Sequence, residues 1–203
     1  QFLKDKNLLL FINRIQDRFP TPNIRQLVEE NDSLHNQAEA VRTWLRANLP
    51  TVQAITSLYL SNAGLTQIPA EISLFTNLTH LSLSQNAIKH IPTNIFQRLI
   101  QLQWIDLCYN QIQVLPPTLF QGLIQLRMLC LHYNQIQVVP PPLFQGLIQL
   151  QALYLYNNQI QHIDPTTFQG LIQLRTLFFN NNPIEGINLL LPILRQTVGI
   201  VNG

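Results

Sequence analysis

Residues 102–125 read LQWIDLCYNQIQVLPPTLFQGLIQ, residues 126–149 read LRMLCLHYNQIQVVPPPLFQGLIQ, and residues 150–173 read LQALYLYNNQIQHIDPTTFQGLIQ. Set one above another, these rows of 24 align without a gap. Leu102, Leu126 and Leu150 open them, Asn110, Asn134 and Asn158 hold the ninth place, and Phe120, Phe144 and Phe168 hold the nineteenth. A fixed period of this order is the signature of a solenoid or array. Places four to six alternate apolar, variable, apolar, the period of a short strand with one buried face. Apolar residues at places one, four, six and eleven then point the same way. One row cannot bury that face alone, so neighbouring rows must stack and pair their strands in parallel. The Asn follows the strand, where its amide can satisfy backbone groups of the turning loop. Pro116-Pro117 and Pro140-Pro141-Pro142 oppose a regular helix on the return side. Phe at place nineteen and Leu at place twenty-two close the far wall.

The first eleven places spell L-x-x-L/I-x-L-x-x-N-x-I, which resembles the leucine-rich repeat family; the F-x-G-L ending and the row length are similar to its typical 24-residue subtype. The resemblance implies an α/β repeat solenoid, a curved array with a parallel sheet on its concave side. Ile55, Leu58, Leu60 and Leu65 make a first row with Ala63 where Asn is expected, and Leu78, Leu81, Leu83, Asn86 and Ile88 a second. A sixth begins at Leu174, with Leu177, Phe179, Asn182 and Ile184 in register. The division expected is a helical N-terminal segment and cap over 1–50, six repeats over 51–185, and a C-terminal cap over 186–203, short and helical across 187–198. Within the first segment, Leu3, residues 8–11, Ile15 and Phe19 form one helical stripe, ended by Pro20 and Pro22. This helix belongs either to the cap or to a domain lying upstream. A short second helix is expected from Ile24 to about Glu30. A third is marked by a capping box at Asn36 and Glu39, by Leu34, Ala38, Val41 and Leu45 at helical spacing, and by Pro50 as its stop. It covers the end of the array.

The composition, 46% hydrophobic and 11% charged with a formal charge of +2, carries no run of like charge that would signal nucleic acid or an anionic membrane. No apolar run approaches a membrane span. Gln1 in place of Met points to a fragment or a processed product. Secreted members of the family carry cysteine clusters in their caps, whereas Cys108 and Cys130 both lie inside rows. Two residues of offset on neighbouring strands put their Cα atoms about 8 Å apart, beyond the reach of a disulfide. Both thiols are therefore expected free, in a reducing compartment such as a bacterial cytoplasm or a host cytosol.

Function is expected where the rows differ. Places two, three, five, seven and eight vary without regard to chemistry, and they face outward on the concave side. Trp104, Asp106, Tyr109, Arg127, Met128, His132, Tyr133, Tyr154, Tyr156, Arg175 and Phe178 fall at these places. Aromatics, Met and Arg are the side chains enriched at protein interfaces. Rows one and two carry mostly Ser, Thr, Asn and Gln there, Ser82 and Ser84 among them. The expectation is a non-catalytic protein–protein recognition module, monomeric or weakly homodimeric, that needs no cofactor or metal. The Gln-rich rows without cysteine caps resemble bacterial repeat proteins, some of which select targets as effectors. The alternatives are a structural or homodimerising array, and a thiol enzyme built on Cys108 and His132, with Asp106 and Cys130 beside them. The same four residues would be a zinc site only if they converged further.

Overall fold

The computed structural model describes residues 1–19, 28, 33–186 and 200–202. Among them, β1 (Ser57–Tyr59), β2 (His80–Ser82), β3 (Trp104–Asp106), β4 (Met128–Cys130), β5 (Ala152–Tyr154), β6 (Thr176–Phe178) and β7 (Ile200–Asn202) form one parallel sheet in chain order. Each strand covers places three to five of its row, and the register runs Ser57, His80, Trp104, Met128, Ala152, Thr176, Ile200 without a slip. The expected helix over 187–198 lies outside the described residues; residues 200–202 continue the sheet as a seventh strand. Behind the sheet, apolar residues from places one, four, six and eleven fill the core, with Ile184 of the last row only partly buried. Phe96 stacks on Phe120, and Phe144 on Phe168, with centroids 6.2 Å apart in both pairs. The return side uses tight turns in place of α-helices, including 3-10 turns at Pro141–Phe144 and Pro165–Phe168. Proline suits such a first turn, where its missing N–H costs nothing.

At place eight the backbone leaves the strand alternation. Asn62, Gln85, Tyr109, Tyr133, Asn157 and Asn181 all have φ between 52° and 56°. This left-handed residue lets places seven and eight both face outward and turns place nine inward. The Asn there then ties two rows together. Asn134 Oδ1 accepts from the Ile112 N–H of the preceding row at 3.0 Å. Its Nδ2 donates to Leu107 O of that row and to Leu131 O and His132 O of its own. Asn110, Asn158 and Asn182 repeat the arrangement. Because each Asn serves the row before it, the first row has nothing to serve. That explains Ala63, whose own N–H is taken by Asn86 Oδ1 at 3.0 Å.

The N-terminal helices are α1 (Phe2–Ile15), α2 (Leu34–Ala47) and α3 (Leu49–Gln53). The expected helix at 24–30 lies outside the described residues, save Val28. Two details of the capping differ from expectation. The cap of α2 is Ser33, whose Oγ accepts from the Asn36 N–H at 3.1 Å, and Asn36 is the third residue inside. Pro50 does not stop a helix; it sits in the first turn of α3, where its fixed φ is pre-organised. Helix α1 packs on the array. Phe11 meets Phe75 edge-on at 5.6 Å, and Phe19 meets Trp44 at 4.9 Å. Asn7, buried, imitates the repeat Asn: its Oδ1 accepts from Thr66 N–H and Gln67 N–H at 2.8 and 3.1 Å. Asp5, also buried, is met by Arg42 Nη1 at 2.8 Å and His35 Nδ1 at 3.1 Å, while Arg42 reaches Glu39 and Glu71 at 2.7 Å. One guanidinium thus holds α1, α2 and the first return turn. Unpaired, any of these buried charges would be costly.

Candidate partner-binding face

The sequence-assigned residues come together on the open face of the sheet. Tyr109 and Tyr133, from place eight of successive rows, stack with centroids 4.3 Å apart and planes 10° from parallel. His132 and Tyr156, from place seven, stack at 4.4 Å. Tyr154 meets His132 edge-on at 6.1 Å and Phe178 at 5.6 Å. These rings lean on one another, but they are not filled in: Tyr109 and Tyr133 keep 46% and 41% exposure, and Met128 keeps 37%. Arg127 and Arg175 stand exposed at the border, and Trp104, Asp106, Tyr154, Tyr156 and Phe178 are half-buried. The patch also reaches further toward the N-terminus than expected. Tyr59, 53% exposed, and His80 approach Trp104 at 6.3 and 6.0 Å. Their column positions were the available signal.

The polar half of the face is a correction. Ser82 and Ser84 were expected as outward surface, yet both are buried, with Cys108, Cys130 and Ala152. Outward-pointing side chains of stacked rows are covered by their larger neighbours, so small ones end up beneath. Ser61, Ser82 and Ser84 form a closed triangle of hydroxyls at 2.8–3.1 Å, and Ser82 Oγ donates to Asp106 Oδ2 at 3.1 Å. Asp106 Oδ1 accepts from the Cys108 N–H at 3.1 Å.

Both cysteines are free. Burial pushes the Cys130 thiol up to about 12, with the Asp106 charge adding to it and a hydrogen bond from Trp104 opposing it. Cys108 is raised for the same first reason, helped by its hydrogen bond to Asp106. Burial lowers His132, the nearby Asp106 only partly offsetting it. A thiol nucleophile works as the ionised sulfur, and burial here favours the protonated form of both thiols. Among the described residues, no three His, Cys, Asp or Glu side chains are gathered to hold a metal ion. A cavity of about 640 Å³ lies elsewhere, between the N-terminal helices and the first return turns, lined by Lys4, Arg42, Arg46, Ile68 and Ile91 among others. Place twenty-three is a further surprise. Ile100, Ile124, Ile148 and Ile172 repeat like framework but are 48–77% exposed.

No curated protein matches the chain in sequence. A family model described as leucine rich repeat matches residues 53–111, 76–136, 100–160 and 124–184. Those overlapping matches run continuously over the stacked rows and account for more than half of the sequence. The Asn-tied rows and the parallel sheet are what that pattern encodes, and the chain belongs to the leucine-rich repeat family.

Proposed function

We propose that the chain is a recognition module that binds a protein partner on the concave face of rows three to six. Repeats of this family are generally non-catalytic protein–protein interaction scaffolds. The observation that carries the reading to this face is the pair Tyr109 and Tyr133. Left-handed backbone at a bulky residue is unfavourable, and Asn62, Asn157 and Asn181 occupy the equivalent places at lower cost. Two tyrosines held there, half exposed, are not what the fold requires. A rigid array of semi-rigid rings offers contact area with little ordering cost on binding. The resemblance to bacterial repeat proteins extends this reading to a target-selecting part of an effector.

The test is calorimetry with a partner isolated on the immobilised array. Trp104→Ala and Tyr154→Ala are expected to weaken binding, at least one by about 2 kcal/mol or more, while Ile148→Gln on the return side leaves it unchanged. Affinity that survives both ring deletions and falls with Ile148→Gln refutes the concave face. A second reading, self-association, draws on the isoleucine stripe of place twenty-three, flanked by uncharged Gln. Sedimentation of wild type against Ile124→Gln/Ile148→Gln tests it, and an unchanged monomer in both would dismiss it.

A further inference from the structure

Asp106 is the only carboxylate between residues 72 and 163, and it lies in the middle of the aromatic face. Its surroundings orient it without neutralising it. Ser82 Oγ and the Cys108 N–H each give it a hydrogen bond, and the Cys108 thiol is a third, weak neighbour. None of the described residues forms an ion pair with it; the salt bridges of the described chain belong to the Asp5–Arg42 cluster. A carboxylate offers about four lone-pair directions, so at least one is left for a donor from outside. Trp104 precedes it by two residues on the same strand face, and His132, itself in contact with Tyr109 at 5.9 Å, senses its charge. A half-buried, unpaired charge is a liability in the free protein and a strong point of attachment in a complex.

Resting on the concave-face reading above, we propose that the partner anchors there with an arginine side chain set end-on against Asp106 and flat against the neighbouring rings. Guanidinium is favoured over ammonium because it is more weakly hydrated and stacks on aromatic faces while donating in its plane. Arg127 and Arg175 at the border disfavour a uniformly basic segment. The partner segment that fits is therefore one arginine whose neighbours, where they lie toward place two of rows four and six, are neutral or acidic.

The experiment uses the full 203-residue chain and N-acetyl-arginine amide as probe, followed by the indole N–H signals of its two tryptophans. Trp104 reports the site, and Trp44, buried in the N-terminal helices, is the internal reference. A saturable shift of Trp104 alone is expected, at least about tenfold weaker with the uncharged citrulline amide and lost in Asp106→Asn. Equal response to citrulline, joint movement of Trp44, or no saturable shift overturns the anchor without recourse to any variant. A lysine amide that binds as tightly overturns the guanidinium assignment. The isolated partner then separates the two levels of argument. If Trp104→Ala abolishes its binding and Asp106→Asn leaves it intact, the face stands and the anchor falls; if neither variant matters, the face itself falls.

Discussion

Tyr109 and Tyr133 lie ring on ring at 4.3 Å although both sit in left-handed backbone, with φ of 52° and 53°. The two effects oppose each other. Such backbone costs roughly 1–2 kcal/mol for an ordinary L-residue, and an aromatic pair returns about 0.5–1.5 kcal/mol. Replacing both by Asn, the residue found at this place in three other rows, is therefore expected to change the melting temperature by only a few degrees. Partner binding is expected to drop sharply. A large loss of stability in the double variant would mean that the stack is framework.

Asn134→Ala removes one acceptor and three donor contacts from two rows at once. Each buried group left unsatisfied costs about 1–3 kcal/mol, so denaturant unfolding should show a loss of at least that order. The concave rings should keep their arrangement. Unchanged stability would contradict the tie between rows.

Thr167 falls where the equivalent rows carry Leu119 and Leu143, and its hydroxyl is buried without a hydrogen-bond partner. Thr167→Val keeps the shape and deletes the orphan. The expected result is a gain of about 1 kcal/mol in unfolding free energy. A loss would imply that the hydroxyl finds a partner in solution.

Acid should weaken the protein in two stages. Burial holds His132 below its ordinary 6.5, against the opposing pull of Asp106. For Asp5, burial works upward, but hydrogen bonds with His35, Arg42 and Gln1 prevail and hold it below 3.8. Both groups bind a proton less readily folded than unfolded, so each contribution is complete above the unfolded pKa and is lost as pH falls through the folded one. Urea midpoints should decline below about pH 6.5 and again below about pH 3.8. His132→Phe should flatten the first decline, and Asp5→Asn should reduce the second to the share of exposed Asp164, which Thr166 also holds below 3.8; slopes left at their full wild-type size in these variants would refute the assignments.

The rows, their register and the burial of places one, four, six and eleven were readable because each repeats identically and one periodicity decides each. The eleven candidate residues were readable as a face for the opposite reason: they fall at the varying places two, three, five, seven and eight of rows whose register is fixed. What stayed hidden depends on contacts between different columns. Ser82 and Cys130 alternate like surface residues, but stacking buries both, Ser82 among the hydroxyls of Ser61 and Ser84 and the Asp106 carboxylate, Cys130 against Trp104. Asn7 and Asp5 look like the polar side of a helix, and only the docking of α1 on Thr66 and Arg42 makes them interior. The left-handed turn did leave a trace, in the three asparagines at place eight, which tolerate that backbone best. The half-exposed isoleucines of place twenty-three show the reverse failure, since repetition there does not mean burial.

The asparagine tie runs one way, from each row back to its predecessor, and that gives the array a growing end. A row appended after the sixth would bring its own Asn to the Ile184 N–H, as Asn182 does for Ile160 at 3.0 Å. A row inserted ahead of the first would meet Ala63, which has no side-chain amide to offer, and would also displace the Asn7 contacts with Thr66 and Gln67. At the carboxyl side a duplicated row brings with it the Asn that its predecessor needs, and what it must take over is the edge of β6 that β7 occupies. At the amino side it demands Ala63→Asn and a rebuilt helix α1, so the start of the sheet is a fixed origin from which its length is counted.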